Sequence, residues 1–237
     1  MIQTEGIFVG GSAISAPIIG EDFNWSGGDG TYQVLDDGGG NWRIKFLSSG
    51  TFTPLKNMVV DAFLVGGGGG AGSSYCGEGG AGYTTTVRSV VLTANTAYSI
   101  VVGAAGTNGN PSSAGGETTA FTASAAGGKN TSNGTSSSKR PGGAGGSGGA
   151  GYVSPVATTT GGTDGGDGTS SATAGGKGQG TTTREFGEAD GDLYASGGGS
   201  NLSATVANSG NGGRNGITSI APADGIVVIR QHKEVAA

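Results

Sequence analysis

The sequence predicts an all-β fold: a β-sandwich or jelly-roll-like module carrying an inserted polyglycine II helix bundle. Three observations predict it. Gly142 to Gly151 is a strict Gly-Gly-X repeat with X limited to Ala and Ser. Gly66 to Gly70 is an unbroken run of five glycines. Apolar strand patterns precede the glycine-rich territory and another follows it, so that territory reads as an insertion and not as a tail.

The polyproline II helix has three residues per turn and no internal hydrogen bonds. Without Cβ atoms, such helices approach closely enough for N–H and C=O groups to bond between neighbouring rods, the steric logic of the collagen axis. On this reading Gly66–Gly70 is an interior rod crowded on every side, and Gly-Gly-X segments are rods with one open edge. A ten-residue rod would be about 31 Å long. Residues 103–216 are expected to hold almost no α-helix and many glycine φ values near −75° or the mirror +75°.

The elements follow in order. Residues 1–30 carry short apolar pieces separated by Gly and Pro and read as an N-terminal attachment arm. Thr31–Leu35 and Asn41–Leu47 flank the turn Asp36–Gly40. In the second piece Trp42, Ile44 and Phe46 alternate with Arg43 and Lys45, the signature of a half-buried strand in a hairpin. Met58–Val65 is an apolar run of strand length feeding directly into Gly66. Tyr83–Leu92 and Ala97–Val102 are two further strands, and Asp224–Arg230 is a last one, expected to pair with strands of the first hundred residues. The β module therefore covers 31–102 and 217–237, and the glycine bundle 103–216, with its first rods at 66–82. Trp42, Phe46, Phe63 and Tyr98 fall on strand patterns and are assigned to the core.

Composition excludes several classes. The chain has 55 Gly and 6 Pro among 237 residues and a net charge of −5. No basic stripe suggests nucleic acid, and no run of 18 apolar residues suggests membrane insertion. The single Cys76 rules out an intramolecular disulfide. The start of the chain has no basic, apolar pattern of a signal peptide. Gly66–Gly72 follows a strand as a nucleotide loop does, but no Lys-Ser/Thr and no helix come next. Gly161–Gly168 contains one copy of a pattern that binds calcium only in arrays, so Asp164 and Asp167 read as turn or rod-edge residues. His232 is the only histidine, and Cys76 has no evident base. Nothing here argues for an enzyme, a cofactor or a metal.

Val60–Gly70, Gly115–Phe121 and Gly225–Arg230, together with Asn41–Thr51, resemble the glycine-rich tail proteins of bacteriophages. The resemblance covers about residues 31–230. It implies an architecture related to the distal tail-fibre adhesins of T-even-like phages, in which polyglycine II rods hold host-contacting loops. The expected function is that of a virion tail component: a receptor-binding adhesin at the tail or tail-fibre tip, made in the host cytoplasm. Its partners would be a bacterial surface receptor, glycan or outer surface protein, and other tail proteins. Homotrimeric assembly is the expectation that tail-fibre habits suggest. The alternatives are a purely structural tail cap, plug or adaptor, and, more distantly, an ice-binding protein with Thr runs at 84–86, 158–160 and 181–183.

Rods offer few side chains, so specificity is expected in the segments between them. Tyr152, Phe186, Leu193 and Tyr194 are the bulky loop residues, with Arg184 and Glu185 beside them for polar register. The competing reading is that these residues cap rod ends or seal a subunit interface.

Overall fold

The structure is a computed structural model that describes residues 22–38, 40–135, 138–152, 160–169, 173–215 and 219–231. Residues 1–21 of the expected arm, Val153–Val156 and His232 lie outside the described residues. The described chain is all-β, apart from one 3-10 turn at Glu185–Gly187. Ten strands form two antiparallel five-stranded sheets. They are β1 (Phe23–Trp25), β2 (Tyr32–Gly38), β3 (Asn41–Phe46), β4 (Gly50–Pro54), β5 (Met58–Val65), β6 (Thr84–Leu92), β7 (Tyr98–Val101), β8 (Thr118–Ala120), β9 (Ala123–Ala125) and β10 (Ile226–Gln231). One sheet has the order β1-β4-β7-β8-β9, the other β2-β3-β10-β5-β6.

The alternation in the sequence sets the faces. Ile44 and Phe46 of β3, Val60, Ala62 and Leu64 of β5, and Val227 and Ile229 of β10 turn inward. There they share one core with Phe23, Phe52, Ile100, Ala120 and Ala125 of the other sheet. Phe46 and Phe52 are fully buried and meet edge to face at 5.5 Å. Burying each such ring contributes about 1.5–3 kcal/mol. β10 pairs with β3 through Val227–Arg230 and with β5 through Ile226–Gln231, as expected of the returning strand. The sheets also reach past the boundaries read from the sequence: β1 lies within 1–30, and β8 and β9 within 103–216. Those three strands are three residues each, and β8 and β9 hold only Thr, Ser and Ala, too little apolar surface to signal a strand.

The glycine segments are organised by main-chain hydrogen bonds. Gly66 and Gly69 N–H donate to Tyr83 and Gly80 C=O, and Gly67 and Gly70 donate to Gly116 and Ser113. Gly68 donates to Ala223 at 2.9 Å. The carbonyls of Gly67 and Gly70 accept from Gly128 and Thr131, those of Gly68 and Ala71 from Gly106 and Gly109, and that of Gly69 from Gly213. Four of the six partner segments recur after three residues, and the run 66–71 is bonded on six sides. A Cβ on any of Gly66 to Gly70 would fall closer than 3.0 Å to a carbonyl oxygen of Ala126, Ala104, Asn211, Lys129 or Thr107 in turn. None of these five glycines has positive φ. Space, not backbone handedness, requires glycine here, and among the described residues a glycine φ near the mirror value occurs at scattered positions such as Gly165 and Gly180.

The Gly-Gly-X run departs from a single straight rod. It bends over Gly145–Ser147, and Gly149 N–H returns to Gly143 C=O at 2.8 Å. Both arms flank 78–81: Gly143 and Gly146 donate to Glu78 and Ala81, while Glu78 and Ala81 donate to Ala150 and Ser147. Ser147 and Ala150 are consequently buried, not on an open edge. The repeat dictates close packing, and the bend is set by partners distant in sequence.

Candidate functional site

Strand β5 delivers Gly66–Gly72 away from the sheets, and 77–83 returns the chain to β6. The turn 73–76 therefore lies at the end distal to the sheets. The same reasoning places 109–112, 131–135, 138–141, Tyr152, 214–215 and 219–220 distally, because Gly109 bonds Ala71, Thr131 bonds Gly70, and Arg140 bonds Tyr75. The distal turns are tied to one another. Ser73 N–H donates to Asn133 Oδ1 at 2.6 Å. Gly134 N–H donates to Ser74 C=O at 2.9 Å, and Asn108 Nδ2 to the carbonyls of Arg214 and Ile220, each at 2.9 Å.

The six contact residues named from sequence divide between the two ends. Tyr152 alone is distal. Arg184, Glu185, Phe186, Leu193 and Tyr194 are proximal, in a segment that crosses the outer face of the β2-β3-β10-β5-β6 sheet. Its ends are joined by Thr183 Oγ1–H donating to Tyr194 C=O at 2.7 Å and Glu185 N–H to Asp192 C=O at 2.9 Å. Phe186 and Tyr194 are buried against Phe63, with centroids 6.0 and 5.6 Å apart. These two and Glu185 are thus core residues, contrary to the reading of them as exposed loop side chains. An apolar outer face left by Phe63, Val65, Ile226 and Val228 has to be covered, and this segment covers it. Leu193 is exposed and Arg184 partly so, with Arg184 Nε 3.4 Å from Asp164 Oδ2.

Charges seal the cover. Glu185, 1% exposed, takes Arg43 Nη1 at 2.6 Å and lies 3.5 Å from Lys45 Nζ. Lys45 also donates to Asp192 Oδ2 at 2.9 Å and Tyr194 Oη at 3.0 Å. Burial opposes the Lys45 charge, but Tyr194, Asp192 and Glu185 outweigh it, and its pKa lies above the ordinary lysine value. Asp192 is held below the carboxylate range by its bond to Lys45. Arg230 grips Glu188 at 2.7 Å and buried Asp61 at 3.3 Å, and its guanidinium stacks 4.1 Å over the Phe186 ring. Beside β6 this segment walls a shallow cleft of about 350 Å³ containing Thr86, Arg88 and Gln179. Gln179 Nε2 is bonded to Thr84 Oγ1 and Thr181 Oγ1, so the cleft walls largely satisfy one another.

The distal end carries a different set of side chains. Tyr75 is 43% exposed, and its ring lies 5.6 Å from that of Tyr152 at 49°. Lys139 Nζ sits 5.5 Å over the Tyr152 ring, and Lys139 and Arg140 are both exposed. Tyr75 was not singled out in the sequence. Its signal was its place in the first turn after the five-glycine run. Just below it, burial pushes the Cys76 thiol up to about 11, away from nucleophilic reactivity. Among the described residues no cluster of His, Cys, Asp and Glu is arranged to hold a metal ion.

A family model for a glycine-rich domain matches residues 47–230. The chain belongs to that family. The matched span begins after β3 and takes in β4 to β9, β10 as far as Arg230 and the described glycine segments from Gly66 onward, so it joins strands of both sheets to the glycine block. Compared with curated proteins, the chain has no match.

Proposed function

We propose that the glycine segments form a polyglycine II bundle, and that this bundle is a rigid mount presenting its distal turns to the surface of a bacterial cell. On this reading the chain is a receptor-binding component of a bacteriophage tail or tail-fibre tip. The period-three hydrogen bonding around Gly66–Ala71 supports the bundle. The single observation that carries the display reading is the segregation of loops. The proximal segment 183–194 is consumed in covering the sheet, while the distal turns hold exposed Tyr75, Lys139 and Arg140 on a hydrogen-bonded base. Binding residues on loops fixed by a rigid scaffold pay little entropy on contact.

The test uses bulky adducts. In a Cys76→Ser background, Ser138→Cys places a thiol at the distal end and Leu193→Cys one at the proximal end. Each is coupled to a large polyethylene glycol maleimide, and binding of the fluorescent chain to bacterial cells is measured. The adduct at 138 should block binding and that at 193 should not. The reverse result would move the contact to the proximal face. A folded, unmodified chain that binds no cells would favour a structural cap or adaptor.

A further inference from the structure

We infer that the distal cluster of Tyr75, Tyr152, Lys139 and Arg140 is a binding site for an anionic saccharide. The inference rests on the display reading for its biological setting but stands on its own geometry. The two phenol rings meet at 49° with centroids 5.6 Å apart, forming a shallow angled platform instead of a closed pocket. Tyr75 is held in place from the main chain: Arg140 N–H donates to its carbonyl at 3.2 Å, and Gly134 N–H to that of Ser74 at 2.9 Å. Tyr152 is held likewise. Its N–H donates to Arg140 C=O at 3.4 Å, and Thr173 Oγ1–H bridges the carbonyls of Arg140 and Tyr152 at 3.3 and 3.2 Å. The platform is therefore prepared before any ligand arrives, which lowers the entropic cost of binding.

The charge at this end runs against that of the whole chain. The net charge is −5, yet two exposed cations stand together here. Lys139 and Arg140, like Lys129 and Arg214, form no ion pair among the described residues, whereas Arg43, Lys45, Lys56, Arg88, Lys177, Arg184 and Arg230 do. Lys139 is positioned by the face of Tyr152, a contact that leaves its donors available. A pyranose offers an apolar C–H face to a phenol ring and hydroxyls to the phenol oxygens. A carboxylate or sulfate on that sugar would meet Lys139 or Arg140 in a charge-assisted hydrogen bond. An acidic peptide fits less well, because among the described residues the distal turns hold no named strand whose edge could pair its backbone. Single-stranded nucleic acid needs a continuous basic groove along its phosphates, which two cations do not supply.

The experiment measures binding of the full chain to tetragalacturonate, with maltotetraose, hexaglutamate and oligothymidylate as comparisons. Saturation-transfer NMR and a fluorescence titration are read at low and at 0.5 M salt. Tetragalacturonate should bind, weaken with salt, and show saturation transfer to its ring protons. Lys139→Gln should lower its affinity about fivefold and Tyr75→Ala about tenfold, the scale of one exposed charge contact and one aromatic contact. Both positions are exposed, so Tm should stay within 1–2 °C, about the scale of a surface substitution. No binding of tetragalacturonate, equal binding of any comparison ligand, or affinity unchanged in both variants would overturn the inference. Cell binding that survives both substitutions would overturn it too, while leaving the display reading intact. Absence of cell binding by the parent chain would instead count against the display reading alone.

Discussion

The interior of the two-sheet module is made of side chains, and the interior of the glycine block is made of main chain. Around Phe46 and Phe52, stability comes from apolar area removed from water and from interlocking rings. Around Gly68, the nearest atoms are carbonyl oxygens of other segments, and cohesion comes from N–H···O=C bonds and close backbone packing. The difference reverses the rule for substitution. The sheet module is damaged by making residues smaller, the block by making them larger. It also separates tasks: apolar strands fix the module, and the block adds reach without needing further apolar sequence.

The sharpest way to break this comparison is to add one methyl group. Gly68→Ala places a Cβ against Asn211 C=O, an atom that cannot rotate away. The expected loss exceeds about 5 kcal/mol, enough to prevent soluble folding. Phe52→Ala, a far larger change in volume, should cost about 3–5 kcal/mol and leave a folded, less stable chain. Soluble yield and denaturant midpoints of the two variants decide the matter. A Gly68→Ala chain more stable than Phe52→Ala would show that the block can yield.

Ser147→Ala sharpens it further. Read from the Gly-Gly-X repeat alone, Ser147→Ala is neutral. In the structure Ser147 is buried and its Oγ accepts Gly165 N–H at 3.1 Å. Leaving that amide without a partner should cost about 1–3 kcal/mol, a difference read directly from urea midpoints. Ser147→Ala matching the parent would return position 147 to an open edge.

The smallest effect concerns a carboxylate inside the block. Burial pushes the Glu78 pKa up to about 7, against the opposing influence of Asn215 N–H and the Arg214 charge. Its folded pKa thus lies above the ordinary value of 4.5. Between these values the folded chain binds more protons than the unfolded one, so Glu78 makes stability fall as pH rises from about 4.5 to 7. The carboxylate is only half-buried, and solvent screening holds the loss to about 1–2 kcal/mol. Glu78→Gln should therefore gain on the parent by about 2–6 °C in Tm as pH is raised from roughly 5 to 8. A constant Tm difference across that range would mean that Glu78 ionises as freely in the fold as out of it.

Side chains made one part of this architecture legible and main chain hid the other. The β2–β3 hairpin followed from the alternation of Trp42, Ile44 and Phe46 with Arg43 and Lys45, and β5 and β10 followed from apolar runs. Glycine at 66–70 announced a crowded backbone. The partners of each glycine carry no signature, since one N–H resembles another, and so the bend at Gly145–Ser147 and the distal or proximal address of each loop were not readable. Phe186 and Tyr194 misled for a related reason. Their neighbours Glu185, Glu188 and Asp192 look solvated in sequence, yet each pairs with a cation on the sheet, Glu185 with Arg43, Glu188 with Arg230 and Asp192 with Lys45.

The position of β10 bears on how the chain is synthesised. It lies between β3 and β5, joining two hairpin-like halves made more than 130 residues earlier. Just before it, Ala223 supplies the acceptor for Gly68, the middle glycine of the early run. Until the ribosome has delivered residues 223–231, the larger sheet is two separate pieces and the central glycine segment lacks one of its six sides. Folding of the larger sheet is therefore completed only after residues 223–231 have emerged, through contacts of long sequence separation that close slowly. The nascent chain waits with unpaired strand edges, the condition in which chaperone protection matters most.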